Sequence, residues 1–253
     1  MVRIGRCVLN GEKTRVALSL MGKDQEDLDQ GLDRILEVRD QVDLVEFRAD
    51  FFGGLEDPGA LEATLCHMGK GLEGLPLIFS LRSQEEGGLF TGGQEAYLAL
   101  NRQVIEGGLV QAVDLEYRWD KKALGDLVAL AKKRDLPLIL STHNFLGTPE
   151  KEVIRRQIQA MVDLGGQVIK LAYHARTPRE VLTLMEGVLE AKEAYKDRAF
   201  IAISMGELGR ISRLAGQTFG SEVTFAKLGR ASGPGQVDLG QVRQVLDLLE
   251  GEA

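Results

Sequence analysis

Cysteine, histidine and tryptophan are scarce in this 253-residue chain, which holds two, three and one of them. Cys7 and Cys66 have no metal-ligand spacing and are too few for a disulfide framework, so both are expected to be small buried apolar residues. His67, His143 and His174 form no H-x-x-x-H pair, which leaves a zinc site without support and predicts no metal. No run reaches 18 consecutive apolar residues, and Met1-Val2-Arg3-Ile4-Gly5-Arg6 does not open a signal peptide. A soluble, cytoplasmic protein is the expectation. Positive charge is in deficit, 31 Lys and Arg against 38 Asp and Glu, for a net charge of -7. That balance argues against nucleic acid or an anionic membrane as partner. Glycine is plentiful at 30 residues, scattered rather than periodic, so collagen is excluded and many turns are implied. A hydrophobic share of 44% and a charged share of 27% exclude disorder as the main state.

Short β-rich runs alternate with helical patterns, with no linker-like break. The runs are 15–21, 43–50, 76–82, 109–117, 137–145, 167–173, 199–205 and 223–228. They recur about every 30 residues, the length of one βα unit. Between them, 24–39 and 94–106 carry helical spacing, and a last helix is expected from about 238 to 249. Thr148-Pro149 and Thr177-Pro178 each read as N-cap followed by proline at the first helical position. Eight such units predict an α/β fold, a (β/α)8 TIM barrel, as one domain over 1–253. The alternative, a doubly wound open sheet, would have fewer strands, and no G-x-G-x-x-G follows the first strand. A hairpin of 4–9 with 13–16 through Asn10-Gly11 is predicted to close the barrel floor.

The strands contain charges that they do not bury cheaply: Glu46, Arg48, Arg82, Asp114, Glu116 and Lys170, with His143 near the end of strand 5. Period-two alternation places Glu46 and Arg48 on one face and Val45 and Phe47 on the other. Helices cover the outside of a barrel, so the charged set points inward, towards the strand C-termini where barrel active sites form. Lys170 lies between Ile169 and Leu171. Desolvation, with Arg48, Arg82 or Arg213 nearby, predicts a neutral amine able to attack a ketone or aldehyde. The alternative is a structural lysine paired with Glu116 or Glu46. His143 is a candidate proton shuttle, whereas His67 and His174 read as surface or loop residues. The stretch Gly229-Arg230-Ala231-Ser232-Gly233-Pro234-Gly235-Gln236 reads as a mobile lid bringing Ser232 and Gln236 over the barrel mouth. A phosphate-binding loop is the rival reading.

Taken in order, Glu46-Phe47-Arg48-Ala49-Asp50, Ser80-Leu81-Arg82, Glu86-Gly87-Gly88, Asp114-Leu115-Glu116, Ser141-Thr142-His143-Asn144-Phe145, Ile169-Lys170, Ser204-Met205-Gly206, Ser212-Arg213 and Ser232-Gly233-Pro234-Gly235-Gln236 resemble the type I 3-dehydroquinate dehydratases over nearly the whole chain. The resemblance implies a barrel, commonly a homodimer, that needs no metal or organic cofactor. It implies dehydration of 3-dehydroquinate to 3-dehydroshikimate, the third step of the shikimate pathway to aromatic amino acids. By position, Lys170 matches the imine-forming lysine, His143 the general base and acid, and Glu86 the carboxylate that orients the histidine. Arg213 matches the group that grips the substrate carboxylate. Glu46, Arg48 and Arg82 match ring-hydroxyl and orienting contacts, Ser19 a further hydroxyl contact, and Ser232 and Gln236 lid contacts. Met205 and Phe225 match apolar walls, and Asp114 and Glu116 stand behind the substrate-contacting set. Thr142, Asn144 and Gly233 depart from the usual family residues. Two other functions fit the barrel: a Schiff-base aldolase for a phosphorylated substrate, and a catalytically silent binding barrel. The pocket is expected to gather Arg48, Arg82, Lys170 and Arg213 around a carboxylate despite the acidic total.

Overall fold

A computed structural model describes residues 1–251. Two short strands open it, β1 (Val2–Ile4) and β2 (Cys7–Leu9), paired antiparallel. Eight parallel strands follow: β3 (Arg15–Leu20), β4 (Leu44–Arg48), β5 (Leu77–Ser80), β6 (Ala112–Glu116), β7 (Leu138–Asn144), β8 (Val168–His174), β9 (Ala199–Met205) and β10 (Val223–Ala226). They lie in the order β10-β3-β4-β5-β6-β7-β8-β9. The remaining seam is drawn together by Glu222 N–H donating to Phe200 O at 2.8 Å and by Ala202 N–H donating to Ser221 Oγ at 2.9 Å. The helices α1 (Gln25–Glu37), α2 (Pro58–Gly71), α3 (Gln94–Gly107), α4 (Lys121–Lys133), α5 (Lys151–Leu164), α6 (Pro178–Ala194), the short α7 (Arg210–Leu214) and α8 (Gly216–Phe219), and α9 (Leu239–Glu250) surround them. This is the predicted (β/α)8 architecture, and all eight predicted β-rich runs are strands of the barrel.

Alternation along the strands builds two cores. Val45, Phe47, Ile169, Leu171 and Tyr173 face outward and pack with the helices. Leu44, Ile78, Ala112, Ile139, Val168, Ala199 and Val223 face inward in the lower barrel, where Val2, Ile4, Cys7 and Leu9 plug them. The barrel floor is thus apolar, and the charged inward residues stand above it, towards the strand C-termini.

Four local expectations are corrected. The floor hairpin exists, but it pairs Ile4 with Cys7 and turns at Gly5-Arg6 rather than at Asn10-Gly11. Arg15 and Val16 cannot serve the hairpin because they pair with Val223 and Thr224 in the barrel, and Gly11 N–H is held by Glu222 Oε2 at 2.9 Å. Helix α5 starts at Lys151 with Glu150 at the N-cap. Thr148 instead ties the loop to the neighbouring unit, its hydroxyl donating to His174 O at 3.4 Å. Thr177 does cap α6, accepting from Glu180 N–H, and Pro178 sits in its first turn. Arg82 lies two residues beyond the end of β5 rather than at its last position. Cys7 is buried, whereas Cys66 on α2 is only half-buried. No helix among the described residues is long and apolar enough to cross a membrane.

Candidate active site

At the C-terminal mouth of the barrel lies a cavity of about 110 Å³. Every residue given a catalytic or substrate-contacting role from the sequence lines it except Ser19: Glu46, Arg48, Arg82, Glu86, His143, Lys170, Met205, Arg213, Phe225, Ser232 and Gln236. Ser19 stands one bond behind, donating to Glu46 Oε2 at 2.8 Å and accepting from Ser232 Oγ at 2.9 Å. Ala172 and Ile203 were overlooked as walls. The signal for them was the period of two, which places Ala172 beside Lys170 and Ile203 beside Met205 on the inner face.

Lys170 projects from β8 into this space with only 5% of its side chain exposed. Its Nζ donates to Glu46 Oε1 at 3.1 Å and to Asp114 Oδ2 at 2.8 Å, and lies 4.5 Å from the centre of the Phe225 ring. Carboxylates therefore meet the amine nitrogen, in place of the guanidinium groups expected beside it. Glu46 is a partner, as the alternative reading had it, but Asp114 takes the place given to Glu116. Burial would raise both carboxyls; Lys170 and Arg48 hold Glu46 below the usual range, and Arg82 and Lys170 do the same for Asp114.

His143 is the second-last residue of β7, with its Nδ1 2.8 Å from Glu86 Oε2. Nδ1 is thereby occupied, which leaves Nε2 as the ring nitrogen for a ligand. Burial, with Arg82 and Lys170 behind it, pushes the imidazole well below its ordinary value, so it is neutral and can accept a proton. Glu86 sits on a single 3-10 turn, Gln84–Glu86, that ends at Gly87 with φ +83. A Cβ at Gly87 would come within 2.3 Å of the Phe145 ring, so this glycine lets the Glu86 turn and the His143 strand approach each other. Burial pushes the Glu86 carboxyl up to about 8, against Arg82 and with help from Glu116 and Asp114.

This shift has a stability consequence. Folded chain keeps a proton at Glu86 that the unfolded chain releases near pH 4.5. Stability from this group is present below that pH and is lost as the pH rises towards about 8. Between about pH 5 and pH 8 the wild-type Tm is expected to fall more steeply than that of Glu86→Gln, whose amide cannot ionise. Parallel Tm profiles would contradict it.

The four cations differ in their partners. Arg48 forks onto Asp50 through Nε and Nη2, both at 2.8 Å, and reaches Ser232 O at 3.5 Å. Arg82 gives both Nη atoms to protein: Asp114 at 2.9 Å, Ser141 at 2.9 Å, Ser80 at 3.1 Å, Glu116 at 3.3 Å and Glu86 at 3.4 Å. Among the described residues Arg213, from α7, meets only main-chain carbonyls, Pro234 O at 2.9 Å and Phe225 O at 3.5 Å, and its buried Nε has no partner. Burial lowers it to about 10. A buried guanidinium without a carboxylate calls for an anionic ligand. All four expected cations line the cavity, and Arg48, Arg82 and Lys170 are paired with built-in acids, which leaves Arg213 as the one of the four without a carboxylate among the described residues.

The lid spans the mouth between β10 and α9. Its base is held by Lys227 N–H to Val237 O at 2.9 Å and Leu239 N–H to Lys227 O at 3.0 Å. Ser232 N–H donates to Gln236 Oε1 at 2.7 Å, and Gln236 Nε2 donates to Ser232 Oγ at 2.9 Å. Gly235, at φ +75, packs so close to the β9 loop that a Cβ would lie 2.3 Å from Gly206 O. His67 is exposed on α2 beside Asp29, away from this site, and His174 ends β8 outside the cavity lining. Among the described residues no group of His, Cys, Asp and Glu is arranged to hold a metal ion.

The family model for "Type I 3-dehydroquinase" matches residues 16–253. The chain belongs to the type I 3-dehydroquinase family. Curated 3-dehydroquinate dehydratases similar to it include one of Klebsiella pneumoniae, 35% identical over 237 residues and 94% of each chain. One of Escherichia coli is 35% identical over 249 residues and 98% of each. Among solved structures, the type I 3-dehydroquinate dehydratase of Clostridium difficile, crystallised with covalently modified comenic acid, superposes with a TM-score of 0.93. It is 30% identical and covers 100% of this chain and 98% of its own. The Geobacillus kaustophilus 3-dehydroquinate dehydratase gives 0.90 at 30% identity, covering 95% and 93%. As a type I 3-dehydroquinase the chain is a hydro-lyase, which removes the aldolase and the silent barrel as readings.

Proposed function

We propose that this chain dehydrates 3-dehydroquinate to 3-dehydroshikimate through an imine on Lys170, with His143 as general base and then general acid. Family membership makes it a 3-dehydroquinate dehydratase of the shikimate pathway, which leads to the aromatic amino acids. The covalent route rests on one observation: a buried lysine and a neutral histidine backed by Glu86 share one small cavity with a guanidinium that lacks a carboxylate.

Nζ of Lys170 attacks the C3 ketone; a C–N bond forms and the carbonyl oxygen leaves as water, giving an iminium. The iminium draws the C2–H electron pair into a C2–C3 double bond while His143 takes the proton. The resulting enamine expels the C1 hydroxyl, which receives that proton from His143. Water then hydrolyses the imine and frees the amine. Arg213 binds the substrate carboxylate, and Glu46, Arg48, Arg82, Ser19, Ser232 and Gln236 contact or orient the ring hydroxyls, with Met205 and Phe225 as apolar walls. Glu86 holds His143 in place. No metal or organic cofactor enters this scheme.

The same reading takes residues 1–253 as one barrel domain, in a cytoplasmic homodimer. The test is an absorbance assay for the conjugated enone of 3-dehydroshikimate. Turnover of 3-dehydroquinate, with none of phosphorylated sugars, is the expected result; turnover of the sugars alone would overturn the reading.

A further inference from the structure

Two carboxylates meet Lys170 Nζ, and they are anchored differently. Glu46 lines the cavity and is tied through Ser19 to Ser232 on the lid. Asp114 does not line the cavity, and its side chain is wholly buried. Its Oδ1 is clamped by Arg82 Nη2 at 2.9 Å and by Ser141 Oγ at 2.5 Å, which turns Oδ2 onto Lys170 Nζ at 2.8 Å. Strand register supplies the clamp: Ser80, a partner of Arg82, lies beside Asp114, and Ser141 lies beside Lys170.

We propose that Asp114 is a positioning residue, the fixed counter-ion of the Lys170 iminium, while Glu46 is the partner that turns to the substrate. When the amine condenses with a ketone, the oxygen departs as water and the nitrogen keeps a positive charge. That charge sits in a low-dielectric barrel and needs an anion already in place. A preorganised anion supplies this without reorganisation during the reaction. Asp114 acts only through the lysine, since it has no access to the ring. The inference rests on Lys170 being the imine-forming amine.

Asp114→Asn keeps the shape and removes the charge. Its kcat is expected to fall about 10²-fold with KM changed little. The yield of borohydride-trapped adduct with 3-dehydroquinate falls in parallel. The acid limb of the trapping rate moves to lower pH, because the lysine then faces Glu46, Glu86, Arg48, Arg82, Arg213 and His143 without its fixed anion. A role in folding alone would lower Tm and leave that limb unmoved. Trapping at the wild-type rate with an unmoved limb overturns the proposal. If Asp114→Asn does not fold, Ser141→Ala decides: it keeps the carboxylate but removes its closest anchor. Trapping about tenfold slower at unchanged KM is expected there, and wild-type trapping overturns the proposal. Absence of a Lys170 adduct in the wild type would overturn the imine reading itself. A wild-type adduct together with an indifferent Asp114→Asn overturns only the counter-ion.

Discussion

Lys170→Ala abolishes turnover of 3-dehydroquinate, a loss on the order of 10⁴-fold or more. No neighbouring side chain can take over, because Arg48, Arg82 and Arg213 carry guanidinium groups that stay protonated and do not attack a ketone. The substitution also reaches stability. It leaves Glu46 and Asp114 as buried carboxylates without the cation between them, and breaking a buried pair this way costs about 3–5 kcal/mol. Arg48 near Glu46 and Arg82 beside Asp114 keep the loss towards the lower end. The enone assay and a thermal melt measure the two effects separately. A folded variant retaining more than about a hundredth of the wild-type rate would contradict the role of the lysine.

His143→Ala separates the two halves of the chemistry. Lys170 keeps both carboxylates, and Arg213 keeps a guanidinium without a carboxylate, so the ketone still binds and the imine still forms. Proton removal from C2 and proton return to the departing oxygen both stop, and turnover falls about 10²- to 10⁴-fold. Borohydride with 3-dehydroquinate is expected to trap an adduct on Lys170 in this variant as in the wild type. Loss of the adduct together with turnover would assign His143 to imine formation instead. Turnover near the wild-type rate would remove it from the reaction.

Much of this site was legible in the sequence because barrel geometry is periodic. Eight β-rich runs at a nearly constant spacing leave room for little else, and period-two alternation alone places Glu46, Arg48 and Lys170 on the inner face. The pairing of those charges was not legible. Which carboxylate reaches Lys170 depends on strand register and on the clamp that Arg82 and Ser141 place on Asp114, and neither leaves a mark in local sequence. Glu116 and Asp114 are two residues apart and share a face, so spacing could not choose between them. The N-terminal hairpin failed for a similar reason: Asn10-Gly11 has good turn chemistry, but the barrel claims the residues that follow it. The acidic total also concealed the pocket. Arg48 and Arg82 are matched by Asp50, Asp114, Glu86 and Glu116, so the pull on a carboxylate ligand comes down to Arg213.

The central claim is a covalent bond between Lys170 and the substrate. It is tested most directly by adding borohydride to the enzyme during turnover of 3-dehydroquinate and mapping the product by peptide mass spectrometry. A single reduced adduct on Lys170, dependent on 3-dehydroquinate, is the predicted result. An adduct on another lysine, or an unmodified and fully active enzyme, would contradict it.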